Sequence, residues 1–197
     1  MNKLSLLTVF FASILMLNCS IDDENATAPS SSFEINPNNF KGVIQNGTIT
    51  LNPSVNYNLT GALVVKGGAT LNIPAGTTIT AAAGFGTAAY IGVERGATIN
   101  ISGTASNPVV MTAETKSPGA WGGLAIAGYG VTNAGVDVTS EVGDLTYGGT
   151  DNTDSSGSIT YLRVEYTGAT FTNEKEFNGI TLFGVGSGTV FSNVSSV

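Results

Sequence analysis

One cysteine, one tryptophan, two arginines and a run of carboxylates are the side chains through which this 197-residue chain could do chemistry, and histidine is absent. The carboxylates Asp137, Glu141, Asp144, Asp151 and Asp154 fall in a stretch rich in Asn, Ser and Gly. Oxygen donors of that kind suit a hard cation, and Asp151 with Asp154 in "DNTDSSG" are the candidate calcium ligands. The spacing is not that of an EF-hand loop. The alternative is an Asx-turn loop whose side chains satisfy their own backbone. Trp121 stands among small residues in "AWGGLAIAG". It either packs at a corner or offers a ring face to a sugar. A lyase would want a cationic base beside such carboxylates, and a glycosidase a pair of carboxyl groups at fixed separation. Neither arginine, Arg95 or Arg163, sits next in sequence to the acidic run. Asp151 and Asp154 could pair, as could those of any solvated loop, so no catalytic residue is assigned.

Cys19 closes a different text. "MNKLSLLTVFFASILMLNC" carries Lys3, then an apolar run to Leu17, too short for a membrane span and of signal-peptide length. A lone cysteine has no intramolecular disulfide partner, and Cys19 sits where bacterial lipoproteins are acylated after cleavage. The expected organisation is a signal peptide over 1–18, a lipid-anchored tether over 19–32 and a domain over 33–197. The tether, "SIDDENATAPSSS", cannot bury apolar area. Its acidic cluster Asp22, Asp23 and Glu24 resembles the export signal of Bacteroidetes lipoproteins carried to the outer face of the outer membrane; a solvated spacer is the alternative. The membrane is thus one expected partner, reached through the N-terminal lipid.

The elements that must position these residues are announced by a repeat. Leu63, Val65, Gly68, Ala69, Thr70, Leu71, Asn72 and Ile73 find counterparts 28 residues on in Ile91, Val93, Gly96, Ala97, Thr98, Ile99, Asn100 and Ile101. Each copy alternates apolar and polar residues on both sides of a glycine corner, the pattern of two short strands joined by a turn. Alternation puts Leu63, Val65, Leu71 and Ile73 on one face and Val64, Lys66, Thr70 and Asn72 on the other. A unit this small must stack on its neighbour, Val65 over Val93 and Leu71 over Ile99. The expected fold is all-β, a right-handed parallel β-helix, with a β-sandwich as the alternative. The 26 glycines and scarce helical patterning agree.

Further rungs are expected at "GTITLNPSVNYNLTGALVV", at "NPVVMTAE" from Asn107 and at "AWGGLAIAGYG" from Ala120, with Leu124 and Ile126 inward. Periodicity lapses between Val131 and Gly157, a length that marks a functional loop or a lid. It resumes in "SITYLRVEYTGA", where alternation places Leu162 and Val164 in the core, sets Ile159 with Tyr161, Arg163 and Glu165 opposite, and lets Arg163 and Glu165 pair.

Three segments, "PGAWGGLAIAG", "YGGTDNTDSSGSITYLRVEYTGA" and "NGITLFGVGSGT", make the chain resemble a family of Bacteroidetes surface lipoproteins with a right-handed parallel β-helix. The resemblance spans nearly everything from Gly47 onward and implies an outer-membrane, cell-surface address. It carries no catalytic residue with it. Members of that family continue past the last motif with an Asp- and Phe-rich segment, so the 197 residues are expected to be part of a longer protein, with the β-helix incomplete at its C-terminal end. Two functions remain open: a non-catalytic surface module binding a ligand, a glycan or an outer-membrane protein partner, and a carbohydrate-active enzyme on a pectate-lyase-like helix. Loss of Lys3 with the signal takes the formal charge from −7 to −8, which argues against nucleic acid.

Overall fold

The computed structural model describes residues 32–172 and 175–197. Cys19 and the acidic cluster at 22–24 lie outside them. A 3-10 turn over Pro37–Asn39 is capped by Asn36, whose side chain accepts from the Asn38 amide. It leads into β1 (Phe40–Ile44), β2 (Gly47–Thr50) and β3 (Asn56–Val65). Then come β4 (Ala69–Pro74), β5 (Thr78–Ala81), β6 (Gly86–Val93), β7 (Thr98–Ser102), β8 (Val109–Ala113) and β9 (Trp121–Ala127). A short hairpin of β10 (Val138–Thr139) and β11 (Thr146–Tyr147) precedes β12 (Gly157–Val164). A second hairpin, β13 (Thr170–Thr172) with β14 (Lys175–Glu176), precedes β15 (Ile180–Phe183) and β16 (Val190–Ser196).

Twelve of these strands join one sheet in which every pairing is parallel, the arrangement of a β-helix and not of a sandwich. The coil has three sides. Side one stacks β2, β4, β7 and the first halves of β12 and β16. Side two stacks the start of β3, then β5, β8 and the later halves of β12 and β16. Side three stacks β1, the end of β3, β6, β9 and β15. The segments from Asn107 and Ala120 are therefore two sides of one coil, since each turn carries three strands and not two.

Register follows the repeat. Val65 lies opposite Val93 and Leu71 opposite Ile99, and all four are fully buried. Burying each such side chain contributes about 1.5–3 kcal/mol, and the column Ile44, Val65, Val93, Ile126 runs through the core without exposure. Gly68 and Gly96 turn the matching corners at φ +86° and +76°, a region that costs an L-residue with a Cβ but not glycine. Leu124 and Ile126 are inward, as are Leu162 and Val164. Strict alternation fails at one point. Ile159 is buried too, because Tyr161 adopts φ +48° and bends the strand, so that two outward residues separate Ile159 from Leu162.

Outside, Asn72 donates to Thr50 Oγ1 at 3.2 Å and Asn100 to Asn72 Oδ1 at 3.0 Å, a side-chain ladder along side one. Lys66 and Glu94 pair across the same two coils. At the first coil, Phe33 packs edge-on against buried Phe40, which packs on Tyr57.

The outer face of side three is roofed. The excursion 128–156 lays Leu145 on Ala125 and Ala127. Phe177, from the second excursion, joins Val142 and Ala169 against Tyr90. A Cβ at Gly122 would sit 2.8 Å from the Phe177 ring, so β9 needs that glycine to admit the roof.

Candidate functional site

Charged side chains at and just past the ends of β8 and β12 gather on side two. Arg163 and Glu165 are two apart near the end of β12 and point outward together. Arg163 Nε lies 2.8 Å from Glu165 Oε1, and Thr112, stacked one coil earlier, donates to Glu165 Oε2 at 2.7 Å. Lys116 donates to Thr112 Oγ1 at 3.0 Å, and its ammonium stands 5.1 Å from the centre of the Tyr166 ring, within cation–π reach. Lys116 thus lies over the half-buried Tyr166 ring, and Arg163 lines a cavity with the same residue.

Tyr166 is held there under backbone strain. Its φ is +60°, a left-handed value that a bulky residue seldom adopts. Its carbonyl accepts from the Ala120 amide and its amide donates to the Val197 carbonyl, both at 3.0 Å, and these bonds fix it. Strain of this kind costs on the order of 1–3 kcal/mol and gathers at functional sites. Two cavities open beside the ring. One, of about 470 Å³, is bordered by Arg163 and Glu165. The other, of about 690 Å³, lies around the corner between Gly119, Thr167 and Asn178.

Glu165 has donors on both carboxylate oxygens, an arrangement that holds Arg163 in place. Just past β8, Glu114 accepts from the Ala83 amide at 2.9 Å.

The residues singled out in sequence fall elsewhere. Trp121 is completely buried, and its indole N–H donates to the Glu165 carbonyl at 2.8 Å. Its ring is therefore core, not a platform for sugar; β9 is buried throughout because the roof covers its outer side. Asp151 and Asp154 do not converge on a cation site. Asp151 Oδ1 accepts from the Thr153 amide at 2.8 Å and from the Thr153 hydroxyl at 2.6 Å, and Asp154 Oδ2 accepts from the Tyr129 amide at 2.8 Å. This is the Asx-turn alternative. Hydrogen bonds from Thr153, side chain first and then backbone, hold the Asp151 carboxyl below its ordinary range. Among the described residues no three His, Cys, Asp or Glu side chains are grouped to hold a metal ion.

Arg95 is the functional side chain that sequence order concealed. It donates to the Gly148 carbonyl at 2.7 Å, pairs with Asp137, and lies 4.9 Å from the Tyr129 ring centre. It thereby pins the 128–156 excursion to the corner after β6. Under the same roof, the Tyr90 hydroxyl is pushed up by burial and then by the negative charge of Asp144.

The model for a pectate-lyase like beta helix domain matches residues 42–197. The chain belongs to that family. No curated protein and no solved structure matches it. The family description relates this β-helix to pectate lyases, which act on carbohydrate, so the outer grooves of a pectate-lyase like helix are where a carbohydrate-related role has to be sought. Among the described residues, charge, aromatic surface and open volume come together in the groove at Tyr166.

Proposed function

We propose that the protein is a lipid-anchored cell-surface module that binds an anionic glycan on side two without cleaving it. What carries the reading is Lys116 over the Tyr166 ring with Arg163 bordering the cavity beside it, on a chain of net charge −7. A cation pair on an otherwise acidic surface favours carboxylate- or sulfate-bearing units, and an aromatic ring supplies an apolar face for a pyranose. Glu165, tied by Arg163 and Thr112, serves as an anchor for the arginine, which is why binding is preferred to hydrolysis or elimination. The pectate-lyase like family supports the other reading, a polysaccharide lyase or glycosidase, and the same experiment separates the two. Retention on immobilised polygalacturonate should be lost with Arg163→Ala and Lys116→Ala and weakened by salt, while incubation releases no shortened product. Product release that scales with protein would replace this reading with the enzymatic one. Membrane attachment rests on Cys19, and Cys19→Ser should move the protein from the membrane to the soluble fraction.

A further inference from the structure

Two tyrosines in the left-handed region bracket the side-two run of β12. Tyr161, at φ +48°, stands where side one turns into side two, and Tyr166, at φ +60°, stands just past the strand. Arg163 and Glu165 face outward between them. The strain at Tyr166 is offset by packing on the core and by Lys116 over its ring. Nothing comparable holds Tyr161. Among the described residues its hydroxyl has no hydrogen-bond partner, its ring meets no other ring and no cation, and it is not one of the half-buried side chains packed on the core. Asn193 forms the same corner of the following coil at φ +55°, so the bend itself needs no aromatic ring.

We propose that Tyr161 is a second aromatic subsite for the anionic glycan, which lies across the coil along β12 with a charged unit at Arg163 beside Tyr166 and a further ring stacked on Tyr161. The choice of a saccharide rests on the side-two reading above; the free ring beside Arg163 does not. A bulky residue in a strained backbone with no offsetting contact in the fold belongs to the class that binding sites retain at the expense of stability. Tyrosine offers a sugar an apolar face with a hydroxyl at its edge, and the Arg163 side chain, 51 % exposed, supplies the charge. Exposed, uncharged groups adjoin the corner on both sides, Thr104 in the preceding coil and Asn193 in the following one, and can bond sugar hydroxyls. Gly103 leaves room for the tyrosine, since a Cβ there would lie 3.0 Å from the Tyr161 Cβ. Tyr161 and Tyr166 are at most roughly 17 Å apart along the strand. A short oligomer reaches both rings, and a dimer at Arg163 and Tyr166 does not. Contact with the second ring is then intramolecular and adds to affinity only above that length.

The test is calorimetric titration of the full chain in detergent with galacturonate oligomers, from dimer to hexamer. Affinity should rise once the oligomer spans both rings, and Tyr161→Ala should remove that rise, about 3- to 10-fold, while digalacturonate binding keeps its dependence on Arg163. Tyr161→Phe should retain the rise. Tyr161→Asn should lose it with an unchanged or higher Tm, which separates loss of the ring from loss of the fold. Long oligomers that bind wild type and Tyr161→Ala alike overturn the proposal. So does a Tyr161→Asn protein whose Tm falls and whose affinity falls equally for every length, because the ring is then a structural part. Absence of binding at any length overturns the side-two reading and this one with it, whereas binding without a length-dependent contribution from Tyr161 overturns this one alone.

Discussion

Tyr161 and Asn193 occupy the same corner on successive coils, both in the left-handed region, at φ +48° and +55°. The register places Thr160 on Ser192 and Leu162 on Val194, so the two residues between them stack. Asparagine tolerates this conformation, whereas tyrosine pays for it in Cβ crowding. Tyr161→Asn should therefore stabilise the protein by up to about 1 kcal/mol, less whatever its half-buried ring contributes. In a domain of this size that is roughly 2–4 °C in Tm by calorimetry. A lower Tm would mean that the ring outweighs the strain. Beneath this corner, a Cβ at Gly103 would come 2.3 Å from the Tyr161 carbonyl oxygen, so Gly103→Ala should cost about 1–3 kcal/mol.

Val93→Asp places a carboxylate in the column between Val65 and Ile126. The loss should be several kcal/mol, even after the carboxyl neutralises. Val64→Asp, one residue from Val65 but facing outward between Val43 and Gly92, should cost far less. Urea denaturation of the pair measures the difference, and equal losses would contradict the inward and outward assignment.

Removing the Arg95 guanidinium should release the 128–156 excursion while the coils remain folded. Arg95→Ala loses a charged hydrogen bond, worth about 1.5–3 kcal/mol, whereas the pair with the mostly exposed Asp137 adds little. Limited proteolysis should cut within 128–156 many times faster, with a smaller change in overall Tm. Arg95→Lys should not restore full protection, because an ammonium lacks the planar fork that spans Gly148 and Asp137.

Asp151 sets a pH dependence for the turn it closes. Its carboxyl is held below the ordinary range in the fold. Its stabilising contribution is therefore complete above the unfolded aspartate value near 3.9 and is lost as pH falls through the lower folded value. The Thr153 amide should exchange faster below that point, and Asp151→Asn should flatten the response. Since the carboxylates serve the loop's own backbone, chelator should leave the wild-type Tm unchanged.

Reading the sequence recovered what depends on nearest-neighbour periodicity. Val65 over Val93, Leu71 over Ile99 and the glycine corners at 68 and 96 follow from alternation and a 28-residue spacing, because parallel coils place like on like. The pair Arg163 and Glu165 was legible for the same reason. What escaped depends on chain that leaves the coil and returns. The burial of Trp121 needs the third side of its coil, and the depth of β9 needs a roof from two excursions. Arg95 meets Gly148 across 53 residues, with no periodicity to announce it. The inward turn of Ile159 required a left-handed tyrosine, which residue type alone argues against. Of the Tyr166 site, the sequence disclosed the Arg163 and Glu165 pair but neither Tyr166 nor Lys116, which meet where the backbone bends.

On side three the coils lengthen along the chain. Partners on side three are 21 residues apart at Ile44 and Val65, 28 at Val65 and Val93, 33 at Val93 and Ile126, and 56 at Ile126 and Leu182. Each step closes a longer loop, and the last costs about 0.9 kcal/mol more conformational entropy than the first. Folding should accordingly nucleate in the early coils and advance toward the later ones. The corner at Tyr166, where glycan binding is proposed, then matures after the early coils, and its availability reports whether these later coils have assembled.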